Sequence, residues 1–291
     1  MMALAPGLRS PARRRLLQQV ALGGLLVVAA AGPRRASAAE PSQLGTASTQ
    51  WNALLSRHVR WSAEGHASRV DYAGFAAERG ALQAVLQAFS ALTPADFERL
   101  PRAAQMAFLI NAYNAFTVEL VLTRWPELRS IKDIGTLFTS PWRQPFFRLL
   151  GAPRTLDWIE HERLRPVYRD PRVHAALNCA SIGCPALRPE AFDAALLDAQ
   201  LDDGLRRFLA DRSRNRVDDT AAGGRLVVSP IFKWYREDFE RGDRGWQRLE
   251  DLFADYADTL SADPALRARL RARSVPISFG EYDWSLNAAG R

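Results

Sequence analysis

The segment Arg172–Pro185, RVHAALNCASIGCP, holds both cysteines of the chain, Cys179 and Cys184, and one of its four histidines, His174. Thiols and an imidazole set beside Asn178 and Ser181 point first to nucleophilic chemistry. Such chemistry needs a cysteine with a lowered pKa, an imidazole within hydrogen-bond reach, and an amide or carboxylate to orient it. The chain offers candidates for each part: Cys179 or Cys184, His174 or His161, and Asn111, Asn114, Asn178 or Glu160. These types match a thiol- and histidine-dependent hydrolase or transferase, similar in broad logic to papain-like and transglutaminase-like enzymes.

The elements that position these groups set the next constraint. Val173, Ala175 and Leu177 alternate with His174, Ala176 and Asn178, a period of two that predicts a strand with two faces. Ala180–Gly183 then reads as a tight reversal, and Pro185 blocks continuation of a ladder. On such a strand His174 and Cys179 lie about 16 Å apart, at roughly 3.3 Å per residue. A thiol–imidazole pair must then come from tertiary folding, for example from His161. A reversal about Ser181-Ile182 brings Cys179 and Cys184 face to face at a separation that suits a disulfide. In an exported protein that bond is the favoured state, and closing so short a loop stabilises by roughly 2 kcal/mol.

Other chemistries fit less well. Glu160-His161 are adjacent and diverge on a helix, unlike zinc-binding helices, so no metal site is assigned and no cofactor is implied. The carboxylates of Asp133, Glu160 and Asp283 show no spacing that singles out an acid/base pair. No glycine-rich phosphate loop and no G-x-S-x-G elbow occurs. The only two lysines, Lys132 and Lys233, could place a compact ammonium against a substrate carboxylate or phosphate, or simply pair with Asp133 and Asp238.

Residues 1–38 read as a leader: Arg13-Arg14-Arg15, the apolar run Val20–Ala31, and an Ala36-Ser37-Ala38 cleavage site. The arginine pair followed by leucines is similar to a twin-arginine signal. A periplasmic or secreted mature protein follows. The leader's six arginines account for all but one of the seven net positive charges, which removes the case for a nucleic-acid partner. No later segment is apolar enough to span a membrane. An envelope protein or peptide is the partner class left open.

Apolar spacing predicts helices over 41–60, 75–91, 101–124, about 190–210 and within 246–272, with strands at 225–228 and 274–284. Thr93-Pro94 marks a helix start, and Thr155 or Asp157 caps a helix that carries Glu160 and His161 and stops near Pro166. Residues 131–158 are loop-rich, packed down by Phe138, Trp142, Phe146 and Phe147. The 101–124 helix is apolar on nearly every side and should be central. Asn111 and Asn114 share one of its faces, so each must grip loop backbone or a polar pocket.

The blocks QMAFLINAYNAFT, IKDIG, SPWR, LDWIEHERLR, DPRVHAALNCASIGCPAL, SPIFKWYREDF and YDWSLN, in this order, resemble the family called domain of unknown function 547, found in bacteria and plants. The resemblance covers about 65–286, preceded by a helical lead-in at 39–64. It implies a shared α+β fold and a shared pocket rather than a known reaction. Ala175 and Ala186 stand where the family usually has an aromatic residue and a second proline, which implies a slightly altered strand packing and turn. The expectation is one mostly helical α+β domain around a buried 101–124 helix, with a small sheet carrying the His/Cys strand. Its site gathers His174, Cys179, Cys184, Asn111, Asn114, Glu160 and His161 for chemistry, with Asn178, Ser181, Lys132 and Lys233 for binding. The alternative is a non-enzymatic envelope binding or assembly module, stapled by a Cys179–Cys184 disulfide.

Overall fold

A computed structural model of the chain describes residues 41–135, 139–218 and 224–290. The leader expected over 1–38, together with Phe138, lies outside the described residues.

The helix α1 (Pro41–His58) packs its Trp51, Leu54 and Leu55 stripe against α3 (Arg79–Ala91), whose Leu82, Val85, Leu86 and Phe89 form the matching face. Between them run the hairpin β1 (Val59–Trp61) and β2 (Ser68–Val70) and the short helix α2 (Tyr72–Ala77), started by the Asp71 side chain accepting Gly74 N–H. Helix α4 (Pro94–Arg99) begins as its residues require, Thr93 capping and Pro94 at the first helical position. Helix α5 (Arg102–Leu122) is the axis of the molecule: every residue from Met106 to Val118 is buried. Each large apolar side chain enclosed there stabilises by about 1.5–3 kcal/mol, which explains a helix with no polar face.

After α5 come 3₁₀ turns at Ile131–Ile134 and Pro141–Arg143 and the hairpin β3 (Phe147–Leu149) and β4 (Ala152–Arg154). Phe147 stacks on Phe116 of α5 at 3.9 Å, so the aromatic residues do pin this loop-rich stretch to the core. A wide-turn π-helix spans Trp158–Tyr168, then α6 covers Leu197–Ala210. Strands β5 (Arg216–Asp218), β6 (Arg225–Val228) and β7 (Ile277–Phe279) form one sheet, β5 antiparallel and β7 parallel to β6. Helices α7 (Ile231–Trp234), α8 (Arg236–Glu240), α9 (Leu249–Asp255), α10 (Ala257–Leu260) and α11 (Pro264–Arg271) complete the chain. The architecture is α+β and mostly helical.

Two hydrophobic clusters fill the interior, one around α1, α3 and α5, the other around α6, β6 and α7–α10. The His/Cys segment runs along their seam: Val173, Ala176 and Leu177 belong to the first, Ala175 to the second.

That placement corrects the expected His/Cys strand. Residues 171–175 form a 3₁₀ turn, started by Pro171 and by Asp170 accepting Arg172 N–H, and no sheet carries the segment. Its two alternating sets are not two faces, because everything from Pro171 to Asn178 is buried. Other boundaries shift for local reasons. Pro166 lies inside the π-helix rather than ending it. The helix expected from 190 starts at Leu197, since Asn111 holds Phe192 by its backbone. The terminal strand is only Ile277–Phe279.

Candidate functional site

The paired amides of α5 grip loop backbone. Asn114 donates to Ala176 O at 3.0 Å and accepts Asn178 N–H at 2.9 Å, pinning the chain between His174 and Cys179. Asn111 makes the same double bond with Phe192, at 2.8 and 2.9 Å. Asn178 in turn donates to Pro185 O at 2.8 Å and accepts Ala180 N–H at 3.0 Å. Ala180 sits in the left-handed region at φ 64°, a conformation costly for a residue with a Cβ and common where a side chain must be presented. Cys179 is the residue presented.

The turn that follows is held from two directions. Cys184 N–H donates to Ser181 O at 3.2 Å, and Arg214 donates to the carbonyls of Cys184, at 2.8 Å, and Ile182. The C-terminal segment pairs alongside, with Ile182 N–H on Ser285 O and Gly183 N–H on Asp283 O, both at 2.8 Å. This pairing delivers Tyr282. Its hydroxyl lies 3.1 Å from Cys179 Sγ, and Ser181 Oγ closes a triangle at 3.0 Å from each.

Both cysteines are free thiols, which corrects the favoured disulfide. Cys184 Sγ accepts the Cys179 N–H at 2.8 Å. The reversal does bring them together, yet the contact is a hydrogen bond. Cys179 is half-buried; burial pushes its pKa up, but bonds from Cys184, Ser181 and Tyr282 outweigh this and lower it to about 7. Cys184 moves the opposite way: burial and the neighbouring Cys179 charge raise it well above an ordinary thiol.

A second polar group lines the same cleft as the thiol. The π-helix presents Glu160 and His161, consistent with the tendency of this widened geometry to mark functional positions. Glu160 is buried, and desolvation raises its pKa despite a hydrogen bond from Tyr235. His174 Nε2 meets Asp238 Oδ2 at 2.7 Å, and its Nδ1 faces Glu160 Oε1 at 3.7 Å. The Tyr235 ring stacks on His174 at 3.8 Å. Burial lowers the His174 pKa, against the hydrogen bond and charge of Asp238 that work to raise it. Burial works to raise Asp238, but His174 and Arg165 hold it far below the usual carboxylate range. His161 stays at the rim, its Nδ1 accepting from Arg165 at 2.8 Å.

Cys179, Cys184, Glu160, His161 and His174 all line one cleft of about 360 Å³. Tyr113, Leu177, Ile231 and the indoles of Trp142, Trp234 and Trp284 supply its apolar walls. Among the described residues, no three His, Cys, Asp or Glu side chains converge as metal ligands.

Fold and cleft together describe an α+β protein with a preorganised thiol in an aromatic-walled recess. Residues 97–209 match the family model described as "Protein of unknown function, DUF547". The match includes α5, the π-helix and the His/Cys turn, but stops short of Tyr235, Asp238 and Tyr282. No curated protein and no solved structure matches the chain.

The expected site residues therefore divide. Five converge on the cleft. Asn111, Asn114 and Asn178 act on backbone, and Ser181 touches the thiol from behind. Lys132 lies over the outer Trp284 ring at 4.7 Å, while Lys233 is exposed and does not line the cleft. The 16 Å separation of His174 and Cys179 does not arise, because the chain between them is not extended. Tyr113, Tyr235, Asp238 and Tyr282 went unrecognised as site residues. The blocks SPIFKWYREDF and YDWSLN contain three of them, and were a usable signal.

Proposed function

We propose that the chain is a thiol-dependent acyl hydrolase or transferase with Cys179 as nucleophile. The observation that carries this reading is the Cys179 sulfur, held at the cleft by Tyr282, Ser181 and Cys184 and poised near neutral pH. The thiolate attacks the carbonyl carbon of a bound acyl donor, forming a C–S bond as the carbonyl electron pair moves to oxygen. Collapse expels the leaving group, which takes the proton of Glu160. Burial keeps that carboxyl protonated to a higher pH than usual. The Glu160 carboxylate then deprotonates water, or a second acceptor in the transferase case, for attack on the thioester. Cys179 departs as thiolate. The His174–Asp238 pair stands behind Glu160 and holds its orientation. Alkylation of reduced protein by iodoacetamide between pH 5 and 9, mapped by mass spectrometry, tests the reading. Selective labelling of Cys179 with a midpoint near pH 7 supports it. An inert Cys179, or a Cys179→Ala variant that retains any esterase or thioesterase activity found, overturns it.

A second reading rests on the outer wall. Trp234 is 48 % exposed and stacks with Trp284 at 5.8 Å, a surface fit for an envelope protein or peptide. In that case the chain is a non-enzymatic binding or assembly module, and Trp234→Ala abolishes complex formation while Cys179→Ala does not.

Export is part of the proposal. N-terminal sequencing of protein from the periplasmic or extracellular fraction should begin just after Ala38; an intact leader in the cytoplasm refutes it.

A further inference from the structure

The acyl-transfer reading uses one thiol and leaves the second unexplained. Cys184 is 5 % exposed, lines the same cleft, and accepts the Cys179 N–H through its sulfur. Ser181 O, Arg214 and the paired terminal segment fix the five-residue step between the two sulfurs. A structural buried cysteine is inert and packs among apolar groups; this one is bonded to the nucleophile.

We propose that Cys184 is a resolving thiol that makes the site a reversible dithiol, switched off by small-molecule disulfides of the glutathione or cystine class. The proposal rests on the acyl-transfer reading for what is switched, though not for the sulfur chemistry. In the first step the Cys179 thiolate attacks one sulfur of the small disulfide. A protein–small-molecule S–S bond forms, the original S–S bond breaks, and the second half leaves as a thiolate that takes a proton. In the next step Cys184 loses its proton to water and attacks Cys179 Sγ, and the remaining half leaves as a thiolate that takes up a proton and becomes a thiol. The protein dithiol is oxidised by two electrons, and one small disulfide is reduced to two thiols.

The geometry orders these steps. Burial first, and then the bond and charge of the neighbouring Cys179 thiolate, hold the Cys184 proton in place. Once Cys179 is in a mixed disulfide its charge no longer opposes ionisation of Cys184, whose sulfur already lies against the Cys179 backbone. A small thiol reverses the sequence. The less buried partner of the pair, Cys179, is the one that meets the reagent.

The experiment treats reduced mature protein with oxidised glutathione and follows intact mass and Cys179 alkylation. The expected result is a transient glutathionyl adduct, then loss of two hydrogens with the Cys179–Cys184 bond in the peptide map, and alkylation reduced at least about tenfold. Dithiothreitol should restore both. Cys184→Ser should stop at a stable adduct on Cys179, and Cys184→Ala provides the same test if the serine variant folds poorly. A persistent glutathionyl adduct on the wild-type protein, with Cys184 still free, overturns the resolving role and leaves the acyl-transfer reading intact. An unreactive Cys179 in the reduced protein removes both.

Discussion

The Tyr282 hydroxyl and the Cys179 sulfur stand 3.1 Å apart although 103 residues separate them in the chain. The contact depends on backbone pairing of Ile182 and Gly183 with Ser285 and Asp283. The C-terminal segment is thus part of the site rather than an appendage. Tyr282→Phe removes one donor to the sulfur and should raise the Cys179 pKa. Iodoacetamide labelling should fall several-fold at pH 6.5 and converge with wild type near pH 9, where both thiols are ionised. An unchanged pH profile would show that Tyr282 has no electrostatic hold on the thiol.

Gly183 is the position where that pairing admits no side chain. A Cβ there would stand 3.0 Å from Asp283 N and O and 3.0 Å from Tyr282 Cδ1. Two of those atoms are backbone and cannot swing aside. Gly183→Ala should therefore displace the 282–285 segment, cost about 1–3 kcal/mol, and depress Cys179 labelling as Tyr282→Phe does. Urea unfolding and labelling measured together check it, and wild-type labelling in a destabilised variant would refute the displacement.

The two α5 amides make chemically identical bonds to different loops, which allows a controlled comparison. Asn111→Ala and Asn114→Ala each leave a buried N–H and carbonyl without a partner, a loss of about 1–3 kcal/mol per unsatisfied group. Both should lower the midpoint of thermal unfolding. Only Asn114→Ala should also slow Cys179 labelling, because only it frees the backbone at 176–178. Equal effects on labelling would mean that Asn114 does not position the thiol.

Glu160 is the group whose pH dependence opposes stability. Its pKa is raised by burial, so between the ordinary carboxylate value near 4.3 and the raised folded value the folded chain holds the extra proton. Stability from this group is present at low pH and is lost as pH rises through that window. Glu160→Gln keeps an acceptor for Tyr235 and removes the buried charge. It should be more stable than wild type at pH 8, by about 1–3 kcal/mol, and close to it at pH 4, while any acyl turnover is lost. Guanidinium unfolding at the two pH values decides; a variant less stable at pH 8 would show the carboxylate to be satisfied.

Much of this protein was readable from the residues alone. The 101–124 pattern, apolar on every side, can be satisfied only by an enclosed helix, and α5 is one. Thr93-Pro94 and the aromatic residues around Phe147 act locally, so their roles followed from types and spacing. The concentration of sulfur and imidazole at 172–185 located the site for the same reason. Tertiary structure decided what those groups do. Alternation at 173–178 mimicked a two-faced strand because periodicity records side-chain type, whereas both sides of this segment are buried between two cores. Whether Asn114 meets a ligand or a backbone depends on what packs against α5. Cys179 gained one of its donors from Tyr282, a residue that no local pattern links to it. The lining of a cleft is set by which distant segments close upon each other, and that closure follows from the packing of whole faces rather than from any one stretch of residues.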